Sequence, residues 1–233
     1  MHIALASDAR DPAFAPEPFT MEFQRDLEQS IVSLMARVFD VLRGKITTLP
    51  EGERGKAVEL AGQEQSIVSR FRGALSQPIH AMRTRIHGDY HLGQVLRAGS
   101  DFVIIDFEGE PARPIAERRI KRSPLQDVAG MLRSFHYAAF APLLGENKIQ
   151  AVDAAKASAW AESWNAWVAE RFLRKYFLTA GAASFLPQNQ ADTQRLLELH
   201  LLEKAIYELG YELNNRPTWV AIPLQGISKL LSK

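Results

Sequence analysis

Two aspartates in one short stretch of the sequence have the chemistry of a reaction site. The stretch is RIHGDYHLGQVLRAGSDFVIIDFEGEP, residues 85–111, with Asp89 in a loop and Asp106 at the end of the run DFVIID. Gln94 follows Asp89 by five positions. Phosphoryl transfer from ATP needs one carboxylate at the acceptor hydroxyl and oxygen ligands that hold Mg²⁺ against the phosphates. The spacing therefore predicts a phosphoryl-transfer site.

Each of these side chains has a role that its oxygen atoms suit. Asp89 is the candidate catalytic base, or the group that orients the acceptor hydroxyl. The amide oxygen of Gln94 and the carboxylate of Asp106 are candidate Mg²⁺ ligands, with Glu108 as a further metal ligand. The competing interpretation makes Asp89 a turn residue and Asp106 a strand cap. Their combination with Gln94 in one segment favours the reaction site.

Two histidines flank Asp89. His87 and His91 are four positions apart, which is a spacing found in helical zinc sites. They lie on either side of a predicted loop, and no third ligand is evident in the sequence. We therefore expect structural roles, and for His87 this role is support of the catalytic loop.

The elements that must position these residues are mostly helical in pattern. Short β-branched or apolar runs predict strands at TRIHG, QVLRA and DFVIIDF, so a β-hairpin separates Asp89 from Asp106. Elsewhere, apolar residues recur at helical spacing. The predicted helices run from the N-cap Thr20 to Gly44, and then over 57–75, 124–144, 160–176 and 191–213.

The fold class that this pattern predicts is α+β and mainly helical, with a small catalytic β-hairpin. Residues 1–19 are rich in proline and acidic residues and predict an extended N-terminal segment, followed by one lobe over 20–233. Pro217 and Pro223 predict an extended or turned path before a short terminal helix. The aromatic residues of the 160–176 helix are predicted to face the core, and they are Trp160, Trp164, Trp167, Phe172 and Tyr176.

Composition excludes several classes of protein. The 233 residues carry a net charge of +1, so no nucleic-acid partner is expected, and no apolar run approaches the length that crosses a membrane. The absence of cysteine excludes disulfides and thiolate chemistry. Because the N-terminus does not resemble a secretory signal, we expect a cytoplasmic protein.

Several motifs resemble those of known kinases. HGDYHLGQ resembles the H-G-D-x-x-x-x-N loop of aminoglycoside phosphotransferases and choline kinases, and VIIDFE resembles their metal-binding motif. With ERRIKRSPLQDVAGMLRSFHYAA and YELNNRPTWVAIPLQGI, the chain looks like bacterial maltokinase, which is often fused to trehalose synthase. Maltokinases are similar to this chain in having Gln at position 94. The resemblance implies the C-terminal lobe of a protein-kinase-like (aminoglycoside phosphotransferase-like) fold.

That resemblance also implies a reaction and its participants. The γ-phosphate of ATP would pass, with Mg²⁺ as cofactor, to the anomeric hydroxyl of maltose. In kinase-like folds an acid at the position of Asp127 braces the catalytic loop, although the helix dipole alone would favour an acid there. The region that resembles the maltose-binding wall contains Lys204, Tyr207, Tyr211 and Trp219, and a solvated lysine beside core tyrosines is the equal alternative.

The same resemblance implies a second, nucleotide-binding lobe, because that family has an N-terminal β-sheet, a phosphate-covering loop and a lysine that this sequence does not show. We therefore expect a missing N-terminal lobe as partner, a trehalose synthase domain as partner where the enzyme is fused, and slow turnover by the chain alone. Two alternatives are a phosphotransferase for an aminoglycoside or choline, and a non-catalytic module that binds a partner. The basic residues Arg118, Arg119, Lys121 and Arg122 predict a solvated loop, unless one arginine meets a phosphate.

Overall fold

A computed structural model describes residues 1–111, 114–144 and 151–232. Its α-helices are α1 His2–Leu5, α2 Met21–Lys45, α3 Glu51–Gly62, α4 Glu64–Leu75, α5 Ile115–Arg118, α6 Leu125–Phe140, α7 Ala151–Ala180, α8 Gln190–Asn215 and α9 Ala221–Leu231. Its strands are β1 Glu17–Pro18, β2 Met82–Arg83, β3 Val95–Ala98 and β4 Asp101–Ile104. Within the described residues, none of the helices has the length and hydropathy needed to span a bilayer.

The core forms where α8 packs against α2, α6 and α9. Helix α2 contributes Ile31, Met35 and Phe39, which recur at spacings of four and are almost fully buried. Helix α8 contributes Ile206 and Leu209 to the same cluster. This packing fixes α6 and α8 relative to one another, and both helices carry site residues.

The boundaries of α2 confirm the prediction from sequence. Thr20 caps the helix, because its hydroxyl oxygen accepts a hydrogen bond from the backbone N–H of Phe23 at 3.2 Å. The helix predicted over 57–75 is instead two helices, α3 and α4. They meet at Gln63, whose backbone (φ −95°, ψ 2°) leaves the helical conformation.

The two C-terminal prolines behave differently from one another. Pro217 opens a short 3₁₀ turn, as a turned path requires. Pro223, however, lies inside α9, so the prediction that it opposes helix was wrong. It is the third residue of the helix, where a backbone N–H has no intrahelical partner and proline is tolerated.

The aromatic stripe of α7 does not form one buried face. Trp160 and Trp167 are 66% and 60% exposed, which contradicts the predicted core role. Phe172 and Tyr176 do pack against the main core. The helix has 3.6 residues per turn, so Phe172 lies roughly 120° around the axis from Trp160 and the stripe divides between two faces.

The predicted hairpin between the two aspartates is formed by β3 and β4. The strands are antiparallel, with Val95 opposite Ile104 and Ala98 opposite Asp101, and Gly99 in the turn has φ +64°. One further backbone bond extends the ladder, from the N–H of Ile105 to the carbonyl oxygen of Gln94 at 3.0 Å. The register therefore brings Gln94 beside the residue that precedes Asp106.

The N-terminal segment is less extended than predicted. It begins with the short helix α1 and ends in β1, which pairs with β2. Lys121 holds the segment in place, since its ammonium group donates to the carbonyl oxygens of Pro12 and Ala15 and to Glu17, at 2.6, 2.7 and 2.9 Å. Lys121 is buried, so the prediction of a solvated basic loop was wrong at this position.

We expect Lys121→Met to destabilise the protein by about 2–3 kcal/mol, because two carbonyl oxygens would lose their donor. Arg119→Met is the matched control, since Arg119 is an exposed neighbour and its loss should change stability by less than about 0.5 kcal/mol. Urea unfolding of both variants measures the difference. Equal stabilities would contradict the anchoring role of Lys121.

Candidate active site

The loop that carries Asp89 is fastened to the first turn of α6. The buried carboxylate of Asp127 accepts hydrogen bonds from the backbone N–H groups of His87 at 2.7 Å and Gly88 at 2.9 Å. Asp127 therefore holds the backbone of the loop. The sequence alone did not distinguish this role from a favourable interaction with the helix dipole. Gly88 has φ +85°, and a side chain there would be strained and would press on the backbone of Gly109.

His87 joins the Asp89 loop to the end of the hairpin. Its Nε2 lies 2.8 Å from the carbonyl oxygen of Ile105, and its Nδ1 lies 3.3 Å from the backbone nitrogen of Asp89. A carbonyl can only accept, so Nε2 donates and Nδ1 accepts. The buried imidazole thus connects the Asp89 loop to the residue that precedes Asp106, and its support of catalysis stays a prediction.

Helix α6 holds the same loop at two further points. Gly130 lies directly under Tyr90, and a Cβ atom there would come within 2.8 Å of the carbonyl oxygen of Tyr90. One helical turn later, the Ser134 hydroxyl accepts a hydrogen bond from the N–H of Leu92 at 3.0 Å. Asp127, Gly130 and Ser134 share one face of α6, so the helix acts as a rigid support for the loop.

Asp89 lies between Lys204 and His91. Its carboxylate oxygens are 3.6 Å from Nζ of Lys204 on α8 and 3.7 Å from Nε2 of His91. Partial burial is the largest single influence on the pKa of Asp89 and would raise it. The contact with His91 and the positive charge of Lys204 together outweigh burial, so the pKa of Asp89 lies below its usual value.

Gln94 and Asp106 are in direct contact. The amide nitrogen of Gln94 donates to a carboxylate oxygen of Asp106 at 2.8 Å. Asp106 has φ +65°, a left-handed conformation that aspartate tolerates better than most residues. Glu108 is exposed in the turn that follows.

The oxygen donors of this pair fit Mg²⁺. One or two protein side chains together with nucleotide phosphates and water usually complete such a site. No cluster of three or more acidic or histidine side chains that could hold a metal by itself occurs in the described part of the chain. The Gln94 and Asp106 pair is therefore suited to a metal that arrives with its nucleotide.

The residues predicted to bind substrate form two groups. Lys204 and Tyr207 line a cleft with Asp89, and the Lys204 ammonium lies 4.9 Å from the centre of the Tyr207 ring. Tyr211 lies near the end of α8 and Trp219 in the 3₁₀ turn that follows, and the guanidinium carbon of Arg216 is 5.4 and 4.4 Å from their ring centres. The cleft at Asp89 thus contains only the first pair.

The chain is related in sequence to two curated kinases. It is 26% identical over 234 residues to the glucosamine kinase of Streptacidiphilus jiangxiensis, covering 99% of this chain and 47% of that protein. It is 32% identical over 150 residues to the glucosamine kinase of Mycolicibacterium smegmatis, covering 63% of this chain and 34% of that protein. The chain thus spans about half or less of the length of these relatives. A search against family models found no match.

Solved structures give the same result for the fold. Crystal form B of a glucosamine kinase matches all of this chain and 49% of its own, with a TM-score of 0.71 at 23% identity. A glucosamine kinase in complex with glucosamine, ADP and inorganic phosphate matches 99% of this chain and 51% of its own, with a TM-score of 0.71 at 22% identity. The chain resembles glucosamine kinases.

These matches correct the resemblance drawn from the motifs. The assignment to maltokinase was wrong, and so was the fold class of an aminoglycoside phosphotransferase-like lobe, because the sequence relatives and matching folds are glucosamine kinases. The expectations of maltose, a missing N-terminal kinase lobe and trehalose synthase as partners lose their support with that assignment. The HGD loop and the short hairpin specify local geometry around Asp89 and Asp106, and such short motifs do not identify a fold or a substrate.

Several functional candidates were missed in the sequence. Glu110 and Glu203 line the cleft beside Asp89, whereas Glu108, two residues before Glu110, was the predicted site residue. Arg133 of α6 donates through Nε to Glu208 of α8 at 2.8 Å, which ties together the two helices that flank the cleft. The repeated Tyr-Glu in YELGYE, residues 207–212, could have indicated a polar face on α8, because Glu208 and Glu212 are one helical turn apart.

We expect Lys204→Met to raise the pKa of Asp89, because the variant removes a positive charge 3.6 Å from its carboxylate. A ¹³C NMR titration of the Asp89 carboxyl carbon measures the change. The pKa of Asp89 is lower in the folded protein than in the unfolded chain. Its ionised form therefore stabilises the protein at pH values above the pKa of the unfolded chain, and this stabilisation is lost as the pH falls through the pKa of the folded protein. Lys204→Met should therefore weaken this acid dependence.

Lys229→Met is the matched control for Lys204→Met. Lys229 is exposed on α9, and its substitution changes the net charge by the same amount. An unchanged Asp89 pKa in Lys204→Met, or an equal shift in both variants, would show that the contact with Lys204 does not set the charge state of Asp89.

Proposed function

We propose that this chain carries the residues of an ATP-dependent sugar kinase that bind the acceptor sugar and Mg²⁺, and that the acceptor is an amino sugar of the glucosamine type. The observation that carries the proposal is that Asp89 lies in a cleft lined by charged side chains, and that His87 links its backbone to Ile105, next to the contacting pair of Gln94 and Asp106. The similarity to glucosamine kinases along nearly the whole chain supports it. ATP and Mg²⁺ are the cofactors of this reaction.

Asp89 orients the acceptor hydroxyl in the proposed reaction. A carboxylate whose pKa is lowered is a weak base, so it holds the hydroxyl by a hydrogen bond and takes the proton only as the oxygen becomes bonded to phosphorus. Lys204 keeps Asp89 ionised and supplies positive charge beside the reacting oxygen. Positioning is the main contribution of such a site, since the transition state of phosphoryl transfer is loose.

Gln94 and Asp106 hold the metal in the proposed site. When bound, Mg²⁺ neutralises charge on the transferring phosphate. Gln94 uses its amide nitrogen for the hydrogen bond to Asp106, so its carbonyl oxygen would be available to bind the metal. Asp106 then contributes a carboxylate oxygen, and the hairpin register keeps the two side chains together.

The charge of the cleft favours an acceptor that carries an amine. Asp89, Glu110 and Glu203 line it together with Lys204, so carboxylates outnumber ammonium groups among these lining residues. A protonated amine on the sugar would meet complementary charge, whereas an uncharged sugar would not. Other acceptors that carry an amine would meet the same complementary charge, and a comparison of sugar substrates can distinguish them from glucosamine.

The proposal predicts Mg²⁺-dependent transfer of the ATP γ-phosphate to glucosamine. Radiolabelled ATP with mass-spectrometric detection of the sugar phosphate provides the assay. Asp89→Asn should lower kcat by about 10²–10⁴-fold, the usual contribution of a positioned acid or base. Glucose should have a kcat/KM about 10–100-fold below that of glucosamine, because a charge-assisted hydrogen bond of about 1.5–3 kcal/mol is lost.

Two results would contradict this function. One is the absence of any phosphorylated sugar from wild-type chain above the level of Asp89→Asn. The other is transfer to maltose or glucose as efficient as transfer to glucosamine, which would reject the role of the amine while keeping the kinase activity.

The metal assignment makes a separate prediction. Asp106→Asn should raise the Mg²⁺ concentration for half-maximal activity roughly 10–100-fold or more, since losing even the hydrogen-bond partner of a metal ligand has an effect of this size. Asparagine also tolerates the left-handed backbone, so folding should be preserved. The effect of Glu108→Gln, compared with that of Asp106→Asn, shows which of the two predicted carboxylate ligands binds the metal. An equal effect of both variants would show that Glu108 also binds the metal, and no effect of Asp106→Asn would contradict the assignment.

A further inference from the structure

His2 lies in a buried position directly behind the brace of the catalytic loop. It belongs to α1 and is 5% exposed. Its Nε2 is 2.9 Å from a carboxylate oxygen of Asp127, and its Nδ1 is 3.0 Å from the hydroxyl oxygen of Tyr176 on α7. The residue therefore connects two elements far apart in the chain to the first turn of α6.

The Asp127 carboxylate fixes the direction of its hydrogen bond with His2, because a carboxylate oxygen can only accept. Nε2 of His2 therefore carries a proton and donates to Asp127. Burial, and to a lesser degree the negative charge of Asp127, raises the pKa of Tyr176 well above its usual value, so its hydroxyl keeps its proton and can donate to Nδ1 of a neutral imidazole. A neutral imidazole satisfies both contacts without an unpaired donor or acceptor.

The Asp127 carboxylate receives three donors in this arrangement. One oxygen accepts from the backbone N–H of Gly88, and the other accepts from the N–H of His87 and from His2. The two backbone donors come from the loop that Asp127 must hold, so they cannot fix the carboxylate independently of that loop. His2 donates from outside the loop, to the same carboxylate oxygen as the N–H of His87, and so holds the carboxylate independently of that loop.

We propose that His2 is a positioning residue for the reaction, acting on Asp89 through Asp127 and the backbone of His87 and Gly88. This inference rests on the proposed function of Asp89. Loss of the His2 donor frees Asp127 to rotate, and the loop that carries Asp89 then samples positions in which the acceptor hydroxyl is misaligned. Small displacements of this kind lower the rate of a reaction that depends on positioning.

A purely structural role for His2 is the competing explanation. Its ring also makes edge contacts with the rings of Tyr176 and Phe185, with centroids 5.7 and 6.2 Å away. A substitution that retains an aromatic ring but removes the nitrogens separates packing from hydrogen bonding. His2→Phe does this, while His2→Gln restores a side-chain N–H near the position of Nε2.

Amide hydrogen exchange of the full 233-residue chain tests the proposal without requiring activity. In His2→Phe, exchange of the His87 and Gly88 amides should accelerate roughly tenfold or more, the factor expected for one hydrogen bond to a charged group. Exchange at Leu209 in the core should stay unchanged. His2→Gln should restore protection of the loop, and Tyr176→Phe, which removes only the outer hydrogen bond, should have a smaller effect than His2→Phe.

Kinetics of the same variants provide the second measurement. The kcat for glucosamine phosphorylation should fall in His2→Phe and recover in His2→Gln, with the KM for ATP nearly unchanged in both. A uniform rise in exchange across loop and core would overturn the proposal in favour of general destabilisation. Unchanged exchange at His87 and Gly88 would overturn it as well. If wild-type chain phosphorylates no sugar while loop exchange still depends on His2, the proposed function fails and the structural link remains.

Discussion

The site depends on one buried carboxylate. A loop that must place Asp89 at a cleft exposes backbone N–H groups that no helix or strand can satisfy, and burying them unpaired would cost about 1–3 kcal/mol each. Asp127 solves this problem, because its two oxygens accept from consecutive N–H groups of the loop. It sits in the first turn of α6, where the helix dipole also favours a negative charge. The same bonds that satisfy the loop also determine where Asp89 lies.

The charge of Asp89 is controlled separately from its position. Asp127 of α6 holds the loop that positions Asp89, whereas Lys204 of α8 supplies the neighbouring ammonium group. These helices are locked together by core packing and by the ion pair of Arg133 with Glu208. A change in their relative orientation would therefore alter both the geometry and the ionisation of the reacting group.

Sequence reasoning succeeded where the determinants are local. The cap at Thr20 involves residues three apart, and the hairpin follows from two short apolar runs around a glycine turn. The contact between Gln94 and Asp106 follows from that hairpin. Reasoning failed for contacts between distant segments, such as His2 with Asp127, because spacing within one helix or strand carries no information about which elements pack together. The buried environment of Lys121 was missed for the same reason.

The incorrect family assignment has a related physical origin. Asp89, Gln94 and Asp106 are residue types that phosphoryl transfer requires, and such residue types say little about which acceptor is used. Acceptor choice depends instead on the cleft wall, and here Glu110 and Glu203 contribute charge from a loop and from α8, respectively. Their effect arises only after folding brings them beside Asp89. The residue types of a phosphoryl-transfer site can be recognised within one continuous segment, while the proposed preference for an amino sugar depends on residues that are separated in sequence and adjacent only in the folded chain.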